Sequence, residues 1–268
     1  QLSTLEFDVA LIVDKGMKAA GVMKLTSADL IYGFKVDSRT GAVLPATAAA
    51  EELWEIGLSD QKKFFENTKP ETQLAHEALE LGPWRRDDYV LELSPDEKIE
   101  AARRKRGWAP RNGLIVGLNT GCSNVIPYKK LTVEMHRLLA VRLLALGHKV
   151  VLLGGKEDST ANERIAYGLD VVQSPTDRGL RDGMISMEAC DVVVSGDSLG
   201  MHMAIALKKW TVAWFGPTCA VEIDLYDRGV RVLTSAPCSP CWKRSCNKSP
   251  MCYDLVSIDE LIEGVRAG

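Results

Sequence analysis

The pattern of apolar and polar positions is most regular from Gly113 onward, where short apolar runs alternate with stretches of helical period. Short β-branched runs predict strands, and the amphipathic stretches between them predict helices. The first such pair is a strand at Gly113–Leu118 and a helix at Leu131–Leu146, which Gly147 is placed to end. This alternation predicts an α/β fold with a parallel sheet covered by helices.

The pattern continues as far as the fifth predicted strand, which gives half of a doubly wound architecture. Further strands are predicted at Lys149–Leu153, Asp170–Gln173, Asp191–Ser195 and Trp210–Phe215. Helices are predicted between them at Ser159–Tyr167, Leu180–Ala189 and Leu199–Leu207.

The N-terminal part of the chain is patterned less regularly and predicts a second, smaller or incomplete α/β unit. Its predicted elements are strands at Phe7–Val13, Leu30–Phe34 and Tyr89–Leu93 and a helix at Met17–Leu25. The charged run Ser94–Pro110 predicts a solvated helix, and we place the domain boundary near its terminal proline. The predicted domains are residues 1–108, residues 109–256 and a C-terminal helix at residues 257–268.

Composition narrows the class of protein. The chain has 268 residues, of which 46% are apolar and 26% charged, as in a soluble globular protein with room for two domains. A net charge of -3 gives no bulk electrostatic reason to bind nucleic acid. The apolar runs are far shorter than the ~20 residues of a membrane-spanning helix, and no secretory signal is visible. We therefore expect a cytoplasmic enzyme that binds anions only locally.

Three loops follow predicted strands at the sheet edge where open parallel sheets bind ligands. They are Asn119–Lys130, Gly154–Glu157 and Gly196–His202. In the third loop, Ser198 and Gly200 put small residues at a helix N-terminus, whose N–H groups suit a diphosphate. Asp197 and His202 flank this turn. An ordinary helix cap with a buried structural histidine explains the same residues equally well.

The other loops carry further candidates. Thr120 and Gly121 directly follow a buried strand, as in a phosphate loop, although the spacing is not that of a Walker motif. Lys129 could reach a phosphate as a mobile point charge, and an exposed lysine before a helix explains it as well. Glu157 could accept hydrogen bonds from ribose hydroxyls, or it could simply favour the helix dipole. Gly216–Thr218 forms a sharp turn at the same edge.

Four of the seven cysteines fall in one short segment, close enough to converge on one point. They are Cys238, Cys241, Cys246 and Cys252. Their spacing matches a zinc ribbon only in part. A structural staple of zinc or disulfides, four reduced thiols and a nucleic-acid-binding knuckle therefore stay open as alternatives.

Four sequence blocks, in their order and spacing, resemble the family nine glycosyltransferases, the enzymes similar to ADP-heptose:lipopolysaccharide heptosyltransferases. The blocks are Gly117–Gly121, Leu152–Glu157, Gly196–His202 and Phe215–Thr218. The earlier segments Phe7–Asp14 and Tyr32–Phe34 resemble later strands of the family's first domain. The cysteine cluster also looks like one seen in many members.

This resemblance implies a GT-B fold, in which two Rossmann-like domains face each other across a cleft and the C-terminal one holds the donor. In such folds the last helix, here residues 257–268, is expected to return to the first domain. It implies an inverting, metal-independent transfer of a sugar, typically heptose, from an ADP-sugar to a lipopolysaccharide-core glycolipid. The expected location is then the cytoplasm, at the inner face of the membrane, with peripheral contact. No cofactor is expected beyond the ADP-sugar substrate, apart from a structural zinc as one option at the cysteines.

Site residues carry over from the family by position. Thr120, Gly121 and Lys129 are expected to face the donor phosphates, and Glu157 the nucleoside. The rest of the implied donor site is Asp197, Ser198, Leu199, Gly200, His202, Pro217 and Thr218. The family usually has glycine at the position of Leu199. In this chain the next residue, Gly200, is expected to take the part of that glycine.

Family members begin with a strand and a Gly-Asp loop whose aspartate is the expected general base. No such segment precedes Leu2 here, so the N-terminal domain is expected to lack its first strand and loop, and the chain its base. Two alternatives from other classes stay open. One is a non-catalytic nucleotide-sugar-binding protein, and the other is a cysteine-stapled interaction module.

Overall fold

The structure, a computed structural model, describes residue 4, residues 6–25 and residues 27–268. It is an α/β protein of two compact units. The first unit comprises Gln1–Asp87 and Val221–Asp224, and the second comprises Asp88–Ala220 and Leu225–Gly268. The chain therefore divides earlier than the predicted boundary at residue 108. Residues 1–3, with which the predicted first domain opens, lie outside the described residues.

The first unit is built on three strands. Its elements are β1 (Glu6–Ile12), α1 (Met17–Leu25), β2 (Ser27–Val36), β3 (Val43–Pro45), α2 (Glu51–Ile56), a π-helical turn (Lys62–Glu66) and α3 (Glu71–Ala78). Strands β1 and β2 are parallel, with Ile12 opposite Gly33, and β3 is antiparallel to β2. Phe34 is fully buried in a small core, beside which the Trp54 indole donates to the carbonyl oxygen of Val43 at 2.9 Å.

One predicted element of the N-terminal region is wrong, whereas the two strands and the helix before it are confirmed. Tyr89–Leu93, predicted as a strand, has no regular secondary structure and pairs with no strand in the described part of the chain. Side-chain contacts hold it instead of a ladder. Asp88 binds Arg228 at 2.5 Å and Lys208 at 2.9 Å, and Leu93 is buried in the core of the second unit.

The second unit is a six-stranded sheet with helices on both faces. Its strands are β4 (Ile115–Asn119), β5 (Lys149–Leu153), β6 (Val172–Gln173), β7 (Val192–Gly196), β8 (Trp210–Phe215) and β9 (Gly229–Leu233). Its helices are α4 (Pro95–Trp108), α5 (Val133–Ala145), α6 (Ser159–Ala166), α7 (Gly179–Glu188), α8 (Leu199–Ala206) and α9 (Ile258–Arg266). The strand order is β6-β5-β4-β7-β8-β9, and every pair is parallel. The predicted parallel α/β architecture is confirmed, and β9 is an additional strand.

Alternate residues of the central strands enter two separate cores, because side chains of a strand point to opposite faces. Val116 and Val150 pack in the core that includes α5 and α9, and Ile115 and Val151 pack in the core that includes α4, α7 and α8. Burial on both faces explains why these strands are continuous apolar runs. Among the described residues, no helix combines the length and the apolarity needed to cross a bilayer.

Several helices begin at hydroxyl caps. The Ser94 hydroxyl accepts from the Glu97 backbone N–H, and the Glu97 carboxylate accepts from that of Ser94, which is the capping box of α4. Thr132 caps α5, Ser257 caps α9, and Gly147, with φ +86°, follows the end of α5 as predicted. Helix α9, expected from the resemblance to return to the first domain, packs on α5, β8 and β9 of the second unit.

Candidate functional site

The strand order of the second unit reverses at β4, since the chain goes from β4 to β5 on one side and later adds β7 on the other. Ligands of open α/β sheets bind at this switch point, outside the carboxyl ends of the strands. A cavity of about 690 Å³ lies there, and we call it the switch-point cavity. The predicted site residues that line it are Gly121, Lys129, Glu157, Asp197, Ser198, Leu199, Gly200 and His202.

Asn119, the last residue of β4, joins the loops on the two sides of the switch point. Its amide nitrogen, which has two protons to donate, lies 3.1 Å from the Gly121 carbonyl oxygen and 3.0 and 2.9 Å from the hydroxyl oxygens of Ser195 and Ser198. A Cβ at Gly200 would lie 2.5 Å from the Asn119 side chain. Glycine at position 200 therefore allows the first turn of α8 to pack directly on β4.

Lys129 and Asp197 bring opposite charges together in the cavity. Lys129 Nζ lies 3.4 Å from Asp197 Oδ2, and the two side chains are only 16% and 12% exposed. Lys129 ends a short 3₁₀ turn that lies against β7, because a Cβ at Gly196 would be 1.9 Å from the Lys129 carbonyl oxygen. The ammonium is thus held near the start of α8 by a single carboxylate, where a phosphate oxygen can also reach it.

Helix α8 begins at the cavity wall, with Ser198 as its N-cap residue. The Ser198 hydroxyl makes no capping bond to the described backbone of α8; it lies 3.2 Å from the Ser195 hydroxyl and accepts from Asn119. The interpretation of Ser198 as an ordinary helix cap is therefore not supported. Because Leu199 and Gly200 line the cavity, the positive end of the helix dipole lies at its wall.

The loop after β5 closes the opposite side of the cavity around Asp158. This carboxylate accepts from the Gly155 backbone N–H at 3.0 Å and lies 3.4 Å from Lys130 Nζ. A Cβ at Gly121 would lie 2.1 Å from Asp158 Oδ2, so glycine is required for the two loops to approach this closely. Glu157, in the same 3₁₀ turn, lines the cavity.

Three predicted donor residues lie elsewhere in the second unit. The Thr120 hydroxyl donates to the Leu153 carbonyl oxygen at 2.8 Å and lies 2.6 Å from Asn162 Oδ1, so it is used inside the fold. Pro217 lines a different cavity, and Thr218 is only 2% exposed. The sharp turn therefore serves packing in this structure, and its residues do not join the switch-point cavity.

Helix α7 and the loop before it supply a wall that the sequence analysis missed. The lining residues are Thr176, Asp177, Gly179, Leu180, Gly183 and Met187. They follow β6, whose carboxyl end lies at the same sheet edge, so the rule used for the other loops also applies to this one. Buried Met187 and Met203, together with Leu153, make this end of the cavity apolar.

His202 is held against an aromatic ring from outside the cavity lining. The rings of Tyr89 and His202 are stacked, with centroids 6.0 Å apart and an interplanar angle of 24°. The Tyr89 hydroxyl oxygen lies 3.4 Å from His202 Nδ1. Sequence patterns carry no signal for this contact, because 113 positions separate the two residues.

The four clustered cysteines line a second cavity of about 300 Å³. None of the cysteines in the described residues forms a disulfide bond. Within residues 4, 6–25 and 27–268, no group of three or more His, Cys, Asp or Glu side chains is arranged to hold a metal ion. The structure thus shows neither a disulfide nor a zinc staple at these residues.

Backbone hydrogen bonds tie the cysteine segment to neighbouring loops. The Pro217 carbonyl oxygen accepts from the backbone N–H groups of Cys241 and Trp242 at 3.0 and 2.8 Å. The Tyr128 hydroxyl accepts from that of Cys246 at 3.1 Å. These hydrogen bonds hold the segment beside the turn that carries Lys129, and its residues do not line the switch-point cavity. Burial raises the pKa of the Cys252 thiol to about 11.

Comparison with known proteins identifies a family. The sequence profile of glycosyltransferase family 9 (heptosyltransferase) matches residues 1–252. Lipopolysaccharide heptosyltransferase 2 of Escherichia coli K12 is 35% identical over 86 residues, which cover 30% of this chain and 25% of that relative. The match thus spans about a quarter of the length of this curated relative.

Solved structures show the same fold. A family 9 glycosyltransferase from Veillonella parvula has a TM-score of 0.62 and 14% identity, with 97% of this chain and 73% of that chain covered. The ADP-heptose lipopolysaccharide heptosyltransferase II of E. coli has a TM-score of 0.59 and 18% identity, with 97% and 77% covered. The predicted fold class is confirmed by these likenesses.

Proposed function

Because the chain belongs to glycosyltransferase family 9, we propose that the switch-point cavity binds an ADP-sugar and that the protein transfers its sugar. We propose a heptose as the sugar and a lipopolysaccharide-core glycolipid as the acceptor. These choices follow the E. coli sequence and the E. coli structure compared above, whose names specify lipopolysaccharide heptosyltransferase and ADP-heptose. With such an acceptor, the enzyme would work at the cytoplasmic face of the membrane through peripheral contact.

One observation carries the proposal: the switch-point cavity has a charged end and an apolar end. Lys129 and the N-terminus of α8 form the charged end, where a diphosphate gains both an ammonium and a helix dipole. Met187 and Met203 belong to the apolar end, which suits a flat nucleoside base. A nucleoside diphosphate presents the same two kinds of surface side by side.

This arrangement suggests how transfer proceeds. The acceptor hydroxyl attacks the anomeric carbon from the face opposite the diphosphate, the bond to the diphosphate oxygen breaks, and the configuration inverts. The leaving ADP gains negative charge, which Lys129 and the N–H groups of α8 are placed to stabilise. We propose that these groups act without a metal ion. The acceptor proton passes to a general base, for which the resemblance to the family implies the aspartate of a Gly-Asp loop.

Calorimetric titration with ADP, GDP, UDP and CDP tests the donor assignment. We expect ADP to bind most tightly and its affinity to be unchanged by EDTA. Failure of all four nucleotides to bind would refute the assignment of the cavity. Release of ADP from ADP-heptose in the presence of heptose-deficient lipopolysaccharide tests transfer itself, and binding without such release would limit the protein to nucleotide-sugar binding.

A further inference from the structure

Tyr89 lies outside the cavity lining, and its hydroxyl contacts His202, which lines the cavity. We propose that Tyr89 is a positioning residue whose hydroxyl donates to His202 Nδ1 and so keeps the ring proton on Nε2. The Nε2–H group then donates to a phosphate oxygen of the bound donor. This inference rests on the proposed function, because it requires an anionic ligand in the switch-point cavity.

The position of Tyr89 is fixed by the second unit itself. Asp88, the preceding residue, binds Arg228 at 2.5 Å and Lys208 at 2.9 Å. The Arg228 guanidinium lies over the Tyr226 ring, 5.4 Å from its centroid, and Tyr226 meets Tyr89 edge-on at 5.7 Å. These contacts hold the Tyr89 ring where it stacks on that of His202.

The chemistry of imidazole links this contact to the ligand. A neutral histidine has one N–H donor and one bare nitrogen acceptor, so the bond made by one nitrogen sets the role of the other. A hydroxyl can donate or accept, whereas a phosphate oxygen beside the ring only accepts. A hydroxyl that donates to Nδ1 leaves Nε2 as the donor that a phosphate requires. The opposite tautomer would turn a lone pair toward the phosphate.

The chain contains an internal reference for the opposite tautomer. His136 Nδ1 lies 3.0 Å from the Thr132 carbonyl oxygen, which can only accept, so Nδ1 carries the proton in the neutral ring. His136 is buried, and it lies in α5, away from the cavity lining. Tyr89 and Thr132 should therefore hold two histidines of one protein in different tautomers.

Nitrogen-15 NMR of the full chain with labelled histidine measures this directly, because protonated and bare ring nitrogens resonate far apart. The chain has four histidines, and the His202→Gln and His136→Asn variants assign two of them. In the ADP complex we expect His202 with the proton on Nε2 and His136 with the proton on Nδ1. In the ligand-free protein, Tyr89→Phe keeps the ring stack and should shift the His202 proton population from Nε2 toward Nδ1. A His202 with its proton on Nδ1 in the wild-type complex would overturn the proposal.

Titration with ADP gives the functional readout. Tyr89→Phe should weaken ADP binding about 3- to 10-fold, the range expected for one lost hydrogen bond. Tyr167→Phe, at a tyrosine that is 82% exposed, is the matched control and should bind as the wild type does. Equal binding by Tyr89→Phe with an unchanged His202 tautomer would refute the positioning role. If the wild-type chain binds no nucleoside diphosphate, the proposed function fails, while the His202 tautomer of the free protein still decides the Tyr89 contact.

Discussion

Lys129 is positioned by two neighbours that act in different ways. Asp197 attracts its ammonium across 3.4 Å. Gly196 has no side chain, which leaves room for the Lys129 carbonyl oxygen to pack against β7. Replacing Lys129 by alanine should weaken ADP binding about 10- to 100-fold, since a charge-assisted hydrogen bond to phosphate is lost. Calorimetry gives the dissociation constants of the two proteins.

Lys149 offers the matched control for this change. It stands at the start of β5, at the opposite edge of the same sheet, where it binds Asp170 at 2.9 Å. Lys149→Ala should leave ADP affinity unchanged. If both variants lose affinity alike, the effect is one of net charge and Lys129 has no specific role.

Adding one methyl group should have opposite effects on the free energy of unfolding at Gly196 and at Gly183. At Gly196 a Cβ would lie 1.9 Å from a backbone oxygen, so Gly196→Ala should lower the free energy of unfolding by about 1–3 kcal/mol. At Gly183, inside α7, a Cβ meets no atom within 4 Å, and Gly183→Ala should raise it by roughly 0.5–1 kcal/mol. Urea unfolding measures both, and changes of the same sign would contradict the packing described for β7.

At the scale of elements, a buried charge cluster joins α4 to α7. The Arg104 guanidinium is 9% exposed and donates to Asp182 at 2.6 Å, to the Ser186 hydroxyl at 2.6 Å and to Glu100 at 3.0 Å. The sequence analysis treated the charged run of α4 as a solvated surface, and Arg104 is the exception. Because α7 forms the apolar wall of the switch-point cavity, α4 helps to fix that wall.

Arg104→Met should lower the free energy of unfolding by about 3–5 kcal/mol, because it leaves Asp182 partly buried without its partner. Its neighbour Arg103 is 69% exposed, and Arg103→Met should change stability by no more than about 0.5 kcal/mol. Chemical denaturation of the two variants compares a buried and an exposed arginine on one helix. A loss of similar size in both would show that the Arg104 cluster adds no stability of its own.

The elements of the second unit were predictable because their signals are local. Strands such as β5 are apolar on both faces and lie between helices of clear period, so pattern alone places them. The segment Tyr89–Leu93 is also rich in apolar residues, but it pairs with no strand in the described part of the chain, and Leu93 packs in the core that includes α7. Strand formation depends on a partner, which a sequence window does not contain.

At the scale of the whole molecule, part of the candidate site was predictable from the sequence and part was not. The loops after β4, β5 and β7 were predictable, since parallel strands place their carboxyl ends at one edge. The wall made by α7 was missed although its strand and helix were predicted, because the loop between them, residues 174–178, lacks the glycine that marks the other three loops. Tyr89 was missed because its contact with His202 depends on the ion pairs of Asp88 and on Tyr226, which join distant parts of the chain.

The stability of the whole protein should depend on pH through His136. This side chain is 4% exposed, and burial lowers its pKa from 6.5 to about 4. The unfolded chain therefore takes up a proton at a pH where the folded protein does not, so acid favours unfolding. The stabilising contribution is complete above about pH 6.5 and is lost as the pH falls toward about 4.

Urea unfolding at pH 7 and pH 5 measures this linkage while most carboxylates remain ionised. Between these two values, His136 should remove about 2 kcal/mol from the free energy of unfolding. His136→Asn keeps a donor for the Thr132 carbonyl oxygen and cannot be protonated, so its stability should fall less over the same interval. The fall that remains includes His148, whose pKa is also lowered by burial. Equal falls in the wild type and in His136→Asn would show that His136 is not the source.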